Sequence, residues 1–532
     1  SQVRLAFRGG SMTKLVPIKE NEFAAGVDSV SFVMDGDAIA SFTLTEGEKS
    51  MTFKPAAEEP KPVAPPKKAE ADEEEPAAEP ENAPPYEPTV ADLAVSSANW
   101  PNFRGIESRG VADGQHPPTT WDGPENKNVL WRTPIPGLGN SCPVIWGDKL
   151  FVTSAVNESA DNDVRIGQYG DVASVEDNSE HDFVVFCLNK KTGEVLWRQT
   201  ACSAKPAVKR HSKSSHANPT VATDGKHVIA FFGSEGLYCY DMDGNQKWKL
   251  DLGLLDSGWF FNAAYQWGFG SSPIIFEDNV IVQCDIQKDS FIAAFRLSDG
   301  TEVWRTKRDE IPTWPTPNVH RFGDMPMLIT HGTRAARGYD ARDGALLWSL
   351  KGHSEIVVPT PFVAHDLIFV ASGYSPVQPI VAIKPTMRGE IDLPGVQKDD
   401  GTTTPEANEQ LAWSLNRGGP YMPTPIAYGD FLYCCSNTGI LACYRATTGE
   451  EVYKERVKVG GAASFTASPI AADGHLYLTA EDGRVAVVRA GEKYKLVSVN
   501  PCGTNVLSTP AISAGTFFAR TLTEIVAFGE KE

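Results

Sequence analysis

A proline placed just ahead of a short apolar run returns along most of this chain. It occurs at Pro143, Pro219, Pro273, Pro317, Pro361, Pro425, Pro469 and Pro510, with spacings of 76, 54, 44, 44, 64, 44 and 41 residues. The short spacings suit a unit of four short strands joined by turns. One such sheet cannot bury its faces alone, so the copies must stack on one another. Eight columns predict eight sheets, and the long spacings predict loop insertions.

A second column is a small residue, a turn ending in Gly, and an aromatic residue four positions later. It runs from Cys187 to Trp197, Cys239 to Trp248, Ala294 to Trp304, Gly338 to Trp348 and Cys443 to Tyr453. A unit from Ala382 to Trp413 carries an insertion, and a degraded copy ends at Tyr494. Each aromatic ring is expected to cover the turn of the adjacent sheet. After Pro510 the chain supplies only three strands, over 511–513, 516–520 and 524–528. Residues 128–134, containing Trp131, read as a strand without a sheet of its own. Pairing it with the last sheet would close a ring and leave no open edge.

Composition divides the chain into three. Residues 1–53 read as a small β module, with a hairpin turn at Asp35-Gly36. Residues 54–95 are rich in Pro, Ala and Glu and are expected to form a disordered linker. Residues 96–532 form the repeat domain. The expected fold is therefore all-β: an eight-bladed propeller of four-stranded antiparallel blades with N-/C-terminal strand closure. The net charge is 49 minus 68, or −19, and residues 54–88 account for −6 of it. The remaining −13 argues against nucleic acid as a partner. The mean hydropathy is −0.26, and no apolar run is long enough for a transmembrane helix. A chain beginning at Ser1 is expected to be a mature or truncated product, so the lack of a signal peptide does not argue for the cytoplasm.

The pattern small-x-Asp/Asn-x-x-Thr/Asp-Gly-x-x-x-Trp resembles the tryptophan-docking repeat of the pyrroloquinoline quinone (PQQ)-like β-propellers, over about residues 100–530. The segment Trp100-Pro-Asn-Phe-Arg-Gly105 resembles the start of bacterial envelope proteins of this type. The resemblance implies one of two branches. BamB-type propellers are non-catalytic scaffolds that bind proteins. Quinoprotein alcohol dehydrogenases bind PQQ and calcium in the central funnel. In both, sites tend to lie on the face that carries the D–A and B–C loops.

On that face, residues 200–218 form a basic loop containing Arg210, His211 and His216, suited to an anion or an acidic partner or else simply solvated. The next loop is aromatic, with Trp259, Tyr265 and Trp267. It suits a protein, sugar or quinone, or packs over a blade boundary. Arg334, Arg417 and Arg520 fall near the presumed funnel mouth, where they could grip an anion or form ordinary ion pairs. Cys202, His211 and His216 match no zinc spacing, so no metal site is assigned. Cys434-Cys435 resembles the vicinal disulfide of some quinoprotein dehydrogenases but falls in a strand, so a structural role is expected. A disulfide between Cys142 and Cys502 is an open alternative. The chain has no Cys-x-x-Cys-His haem motif, no phosphate loop and no His-Glu-x-x-His helix.

The leading expectation is a non-catalytic, periplasmic or secreted scaffold that binds protein partners through its loop face. The alternatives are a PQQ- and calcium-dependent oxidoreductase and a carbohydrate- or polymer-binding propeller. The dehydrogenase set of Glu, Asn and catalytic Asp around calcium does not map onto these loops.

Overall fold

In the computed structural model, seven of the eight repeat prolines stand immediately before the innermost strand of a sheet. The structure describes strands within residues 4–53, and residues 98–531 less 158–163, 168, 170–172, 178, 261, 263, 397–402, 406 and 462. The chain divides into two units, Ser1–Ala83 and Pro84–Glu532.

The first unit holds a five-stranded antiparallel meander of Val16–Lys19, Glu22–Ala25, Asp28–Asp35, Ala38–Glu46 and Lys49–Phe53. Asp35 pairs with Ala38, so the two strands form the hairpin expected there, and its turn residues lie outside the described residues. The expected linker lies outside the described residues.

The second unit is an eight-bladed propeller. From inner to outer strand, blade 1 is Val144–Trp146, Lys149–Val156, His181–Asn189 and Val195–Ala204. Blade 2 is Ala222–Thr223, His227–Phe231, Leu237–Asp241 and Gln246–Leu250. Blades 3 to 7 repeat the order, with inner strands Ile274–Phe276, Asn318–Phe322, Phe362–Ala364, Ile426–Tyr428 and Ile470–Ala472. Blade 8 is Ala511–Ser513, Thr516–Arg520, Glu524–Phe528 and, from the other end of the domain, Val129–Pro134. Glu524 pairs with Pro134 and Ala527 with Trp131, which is the closure expected from the sequence. The inner strands of blades 2 and 5 to 8 are buried throughout, whereas outer strands such as Val195–Ala204 and Glu302–Lys307 present many residues to solvent. The core is accordingly a ring of layers between blades. One layer joins Ile229 and Phe231 of blade 2 to Val280 and Val282 of blade 3.

The docking column has a local cause. Each aromatic ring is the cross-strand partner of the small residue that precedes it, as in Cys187 with Trp197, Ala294 with Trp304 and Ala382 with Trp413. A large side chain there would collide with the indole. The indole then reaches the next blade. Trp131, Trp197, Trp248, Trp304 and Trp413 donate Nε1–H to the carbonyls of Lys190, Met242, Leu297, Ala341 and Ala446. At Gly193, φ is +75°, and a Cβ would sit 2.5 Å from the Trp131 ring, so both the turn and the docked ring require glycine.

Trp348 departs from this pattern. The turn it would cover is replaced by the insertion within Ala382–Trp413, from which Gly389–Asp392 returns as a fifth strand parallel to Leu346–Lys351. Its Nε1–H points instead to Met327 Sδ of its own blade, at 3.2 Å. Tyr453 also differs and rests edge-on against Tyr494.

Around the axis runs a belt of hydroxyls. The N–H of Cys142 donates to Thr220 Oγ1, Thr220 to Ser272, Ser272 to Thr316, and Thr316 to Thr360, at 2.9–3.1 Å. Thr360 donates to Thr424, Thr424 to Ser468, and Ser468 to Thr509, each at 3.0 Å. Cys142, whose thiol is influenced by Thr509, stands where an eighth hydroxyl would complete the circle. These are the residues before the prolines, except in blade 2. There the belt residue is Thr220, so Pro219 is two positions out of register and the true interval is 78 residues.

Candidate functional site: the capped central cavity and its loop face

The belt encircles a cavity of about 230 Å³ on the propeller axis. The lead-in segment closes one end. Trp100 bridges Ile145 of blade 1, and Ala112 donates to Ala471 O of blade 7. Between them Phe103 faces the cavity. Arg104 is buried there, donating to Pro425 O at 2.9 Å. Burial without a carboxylate lowers its pKa to about 9.

The other end is the loop face. Strands alternate in direction, so blade 1's insertion after Lys149–Val156 shares this face with the loops joining blade 1 to 2 and blade 2 to 3. The three layers pack together: Ser174 pairs with His211, and Ser174 Oγ accepts from Gln266 N–H at 2.7 Å. Tyr169 of the insertion donates to Glu481 of blade 7 at 2.6 Å. Gly167 N–H donates to the same carboxylate at 2.6 Å. The Lys213 ammonium also meets it, 2.5 Å away, and lies 3.8 Å above the Tyr169 ring. Gly167 and Tyr169 of the insertion are thereby pinned on Glu481.

This cluster is electrostatically closed. Burial pushes Glu481 up, but the Lys213 charge and bonds from Lys213, Thr466 and Tyr169 outweigh it and hold the carboxyl below its ordinary value. Burial, with the Glu481 charge beside it, drives the Tyr169 phenol well above its ordinary value. Trp267 and Trp314 line the cavity wall with ring centroids 5.8 Å apart, and Tyr421 lies 6.1 Å from Tyr169.

The basic loop expected at the surface is turned inward. Arg210 is buried and donates to Ser214 O at 3.1 Å. His211 Nδ1 accepts from Lys213 N–H and its ring edges Trp267. His216 lies beside His181, ring centroids 5.2 Å apart. Cys202 turns away to Glu235 O, so Cys202, His211 and His216 do not converge.

The aromatic loop splits. Trp267 is buried in the cavity wall. Trp259 and Tyr265 close a hairpin (Trp259 N–H to Tyr265 O, 2.8 Å) and stack at 5.9 Å and 13°, half-buried, on the loop face.

The three arginines do not share a setting, and none lines the cavity. Arg520 is buried, donating to Ser141 Oγ at 3.0 Å and to the carbonyl of Thr153. It straps blade 8 to blade 1, and burial lowers its pKa to about 9. Arg334 pairs with Asp309. Arg417 is exposed.

All nine cysteines are free thiols, including Cys142 and Cys502. Cys434 and Cys435 alternate along their strand. One enters the layer toward blade 5 and the other the layer toward blade 7, which rules out a vicinal disulfide over the funnel in this structure.

The sequence reading missed Tyr169, Thr466, Glu481, Trp314 and Tyr421. The one available signal was the recurring Ser/Thr/Cys-Pro pair, which marks the belt and hence the axis.

A family profile described as outer membrane protein assembly factor BamB matches residues 181–393 and 395–521. No curated protein matches the sequence. Among solved structures, BamB from Moraxella catarrhalis is 15% identical with a TM-score of 0.45, covering 72% of this chain and 98% of its own. The quinohemoprotein alcohol dehydrogenase ADHIIG from Pseudomonas putida HK5 is 10% identical with a TM-score of 0.50, covering 83% and 82%.

Proposed function

The chain belongs to the propeller family described as outer membrane protein assembly factor BamB, and on that premise we propose that it is a non-catalytic scaffold of the bacterial cell envelope that holds a protein partner on its loop face. The observation that carries this reading is the Trp259–Tyr265 hairpin, whose stacked rings stand half-buried at that face. Aromatic residues of this kind supply large contact area at low entropic cost, which is what binding hot spots use. No helix among the described residues is long and apolar enough to cross a membrane.

The axial cavity supports the same reading from the other side. Calcium-bound PQQ does not fit its donor set. Among the described residues, those lining the cavity include no carboxylate. The nearby Glu481 is saturated by Lys213, Thr466, Tyr169 and Gly167. Of the arginines expected to grip an anion, Arg210 and Arg520 are buried on carbonyls, Arg334 is paired with Asp309, and Arg417 is exposed away from the cavity lining.

The test places a photo-crosslinking residue at position 259, 265 or 191, the last in a turn on the opposite face, and irradiates envelope fractions. One protein captured at 259 and 265 but not at 191 supports the scaffold. Equal capture at all three, or saturable PQQ and calcium binding with dye-linked alcohol oxidation, overturns it.

A further inference from the structure

We propose that Asp177, His181 and His216 form a binding site for one zinc-class divalent ion, which rivets the blade 1 insertion to the loop that follows blade 1. Asp177 comes from the insertion, His181 opens the third strand of blade 1, and His216 sits in the loop before blade 2. Their donor atoms lie within 4.8 Å of one another. Asp177 Oδ2 and His181 Nε2 are 3.3 Å apart. Two ligands at tetrahedral zinc, each about 2.0–2.1 Å from the metal, stand about 3.3 Å apart.

Ser179 fixes the polarity of the site. Its carbonyl lies 3.0 Å from His181 Nδ1. A carbonyl only accepts, so Nδ1 carries the proton and Nε2 turns a lone pair toward the carboxylate. Its hydroxyl donates to Asp177 Oδ1, which leaves Oδ2 with no hydrogen bond. Two acceptors thus face each other, with side chains 5% and 9% exposed. Such a pair needs either a proton or a metal cation between the two atoms.

His216 adds the third donor. Its Nε2 is buried and has no hydrogen-bond partner. Two imidazoles and one carboxylate are a zinc-type donor set, and three protein ligands leave a fourth position for water. Asn157 donates to Ser179 Oγ, so the outer partners that orient a metal's ligands are in place.

Calorimetric titration of the EDTA-stripped full chain with Zn²⁺ alone tests this. The expected result is one ion per chain, with affinity lowered at least about 100-fold in Asp177→Asn and His216→Gln, and about 10–100-fold in Ser179→Ala. Co²⁺ should give the visible bands of a tetrahedral site in the wild type and none in His216→Gln. The metal-free variants should melt with the metal-free wild type, which separates lost ligation from lost folding. Absence of Zn²⁺ binding by the wild type, or unchanged binding in both Asp177→Asn and His216→Gln, overturns the site.

Discussion

Lys213 and Glu481, 268 residues apart in sequence, meet at 2.5 Å with side chains only 7% and 1% exposed. One comes from the loop after blade 1 and the other from blade 7, and in the closed ring only blade 8 stands between these two blades. Tyr169 and Gly167 bond the same carboxylate, so their anchoring depends on Glu481 remaining ionised.

Glu481→Gln leaves Lys213 as a buried cation without its counter-charge. The expected loss at neutral pH is about 3–5 kcal/mol, measured by urea unfolding. Lys213→Met combined with Glu481→Gln should recover part of it, because the orphaned charge is gone. Amide exchange at Gly167 should quicken in the single variant.

The same pair sets a pH response. Glu481 is held below its ordinary value of 4.5 in the folded chain. Its contribution is therefore present above the unfolded value and is lost as pH falls through the folded one. Burial draws Lys213 below its ordinary value despite Glu481. Melting temperatures followed downward from neutral pH should fall in the wild type below about pH 4.5. The gap between wild type and Glu481→Gln should narrow over that range. A constant gap would show that Glu481 does not act as a charged pin.

Thr360→Val keeps the shape of a belt residue and removes the hydroxyl that accepts from Thr316 N–H. The buried N–H then has no partner, at a cost of about 1–3 kcal/mol. Cys142→Ser, which restores a hydroxyl at the eighth position, should unfold near the wild-type denaturant midpoint. If Thr360→Val is equally silent, the belt does not stabilise the ring.

The belt also explains what could be read in advance. Blade number and closure were legible because they depend on repetition, and a pattern recurring eight times survives the drift of any one copy. Pro219 shows the limit, since its position beside Thr220 imitates the column while standing two residues early. Trp348 looked like its neighbours because the cause of its departure, the strand Gly389–Asp392, lies in the following insertion. The loop face was the least legible part. Arg210 and Lys213 were read as surface cations because such residues are rarely buried unless paired. The groups that pair with or accept from them cannot be found by spacing, since Glu481 is six blades away. His216 likewise meets Asp177 and His181 only once the insertion folds back.

Trp304 docks on the next blade through Ala341 O and covers Gly344, where a Cβ would lie 2.5 Å from the ring. Trp304→Ala should cost about 3–5 kcal/mol, as for other large aromatics removed from a core. Gly344→Ala should displace the same ring. The double variant should therefore lose less than the sum of the two single losses, the sign of a shared contact. Full additivity in denaturant unfolding would mean that the ring and the turn act independently.

Thiol chemistry gives a last check on the closed ring. Eight of the nine cysteines are buried, and Cys202 alone is half-exposed. Burial pushes the thiols of Cys435 and Cys502 up to about 12, so neither is ionised at neutral pH. A chromogenic disulfide reagent should therefore modify about one thiol quickly in the native chain and all nine after denaturation. Cys202→Ser should abolish the fast phase. A fast phase that persists in Cys202→Ser would mean that an inter-blade layer opens on the timescale of the reaction. Removing residues up to 134, and with them the closing strand Val129–Pro134, should produce such an opening, because the last blade then ends on an unpaired edge at Glu524–Phe528.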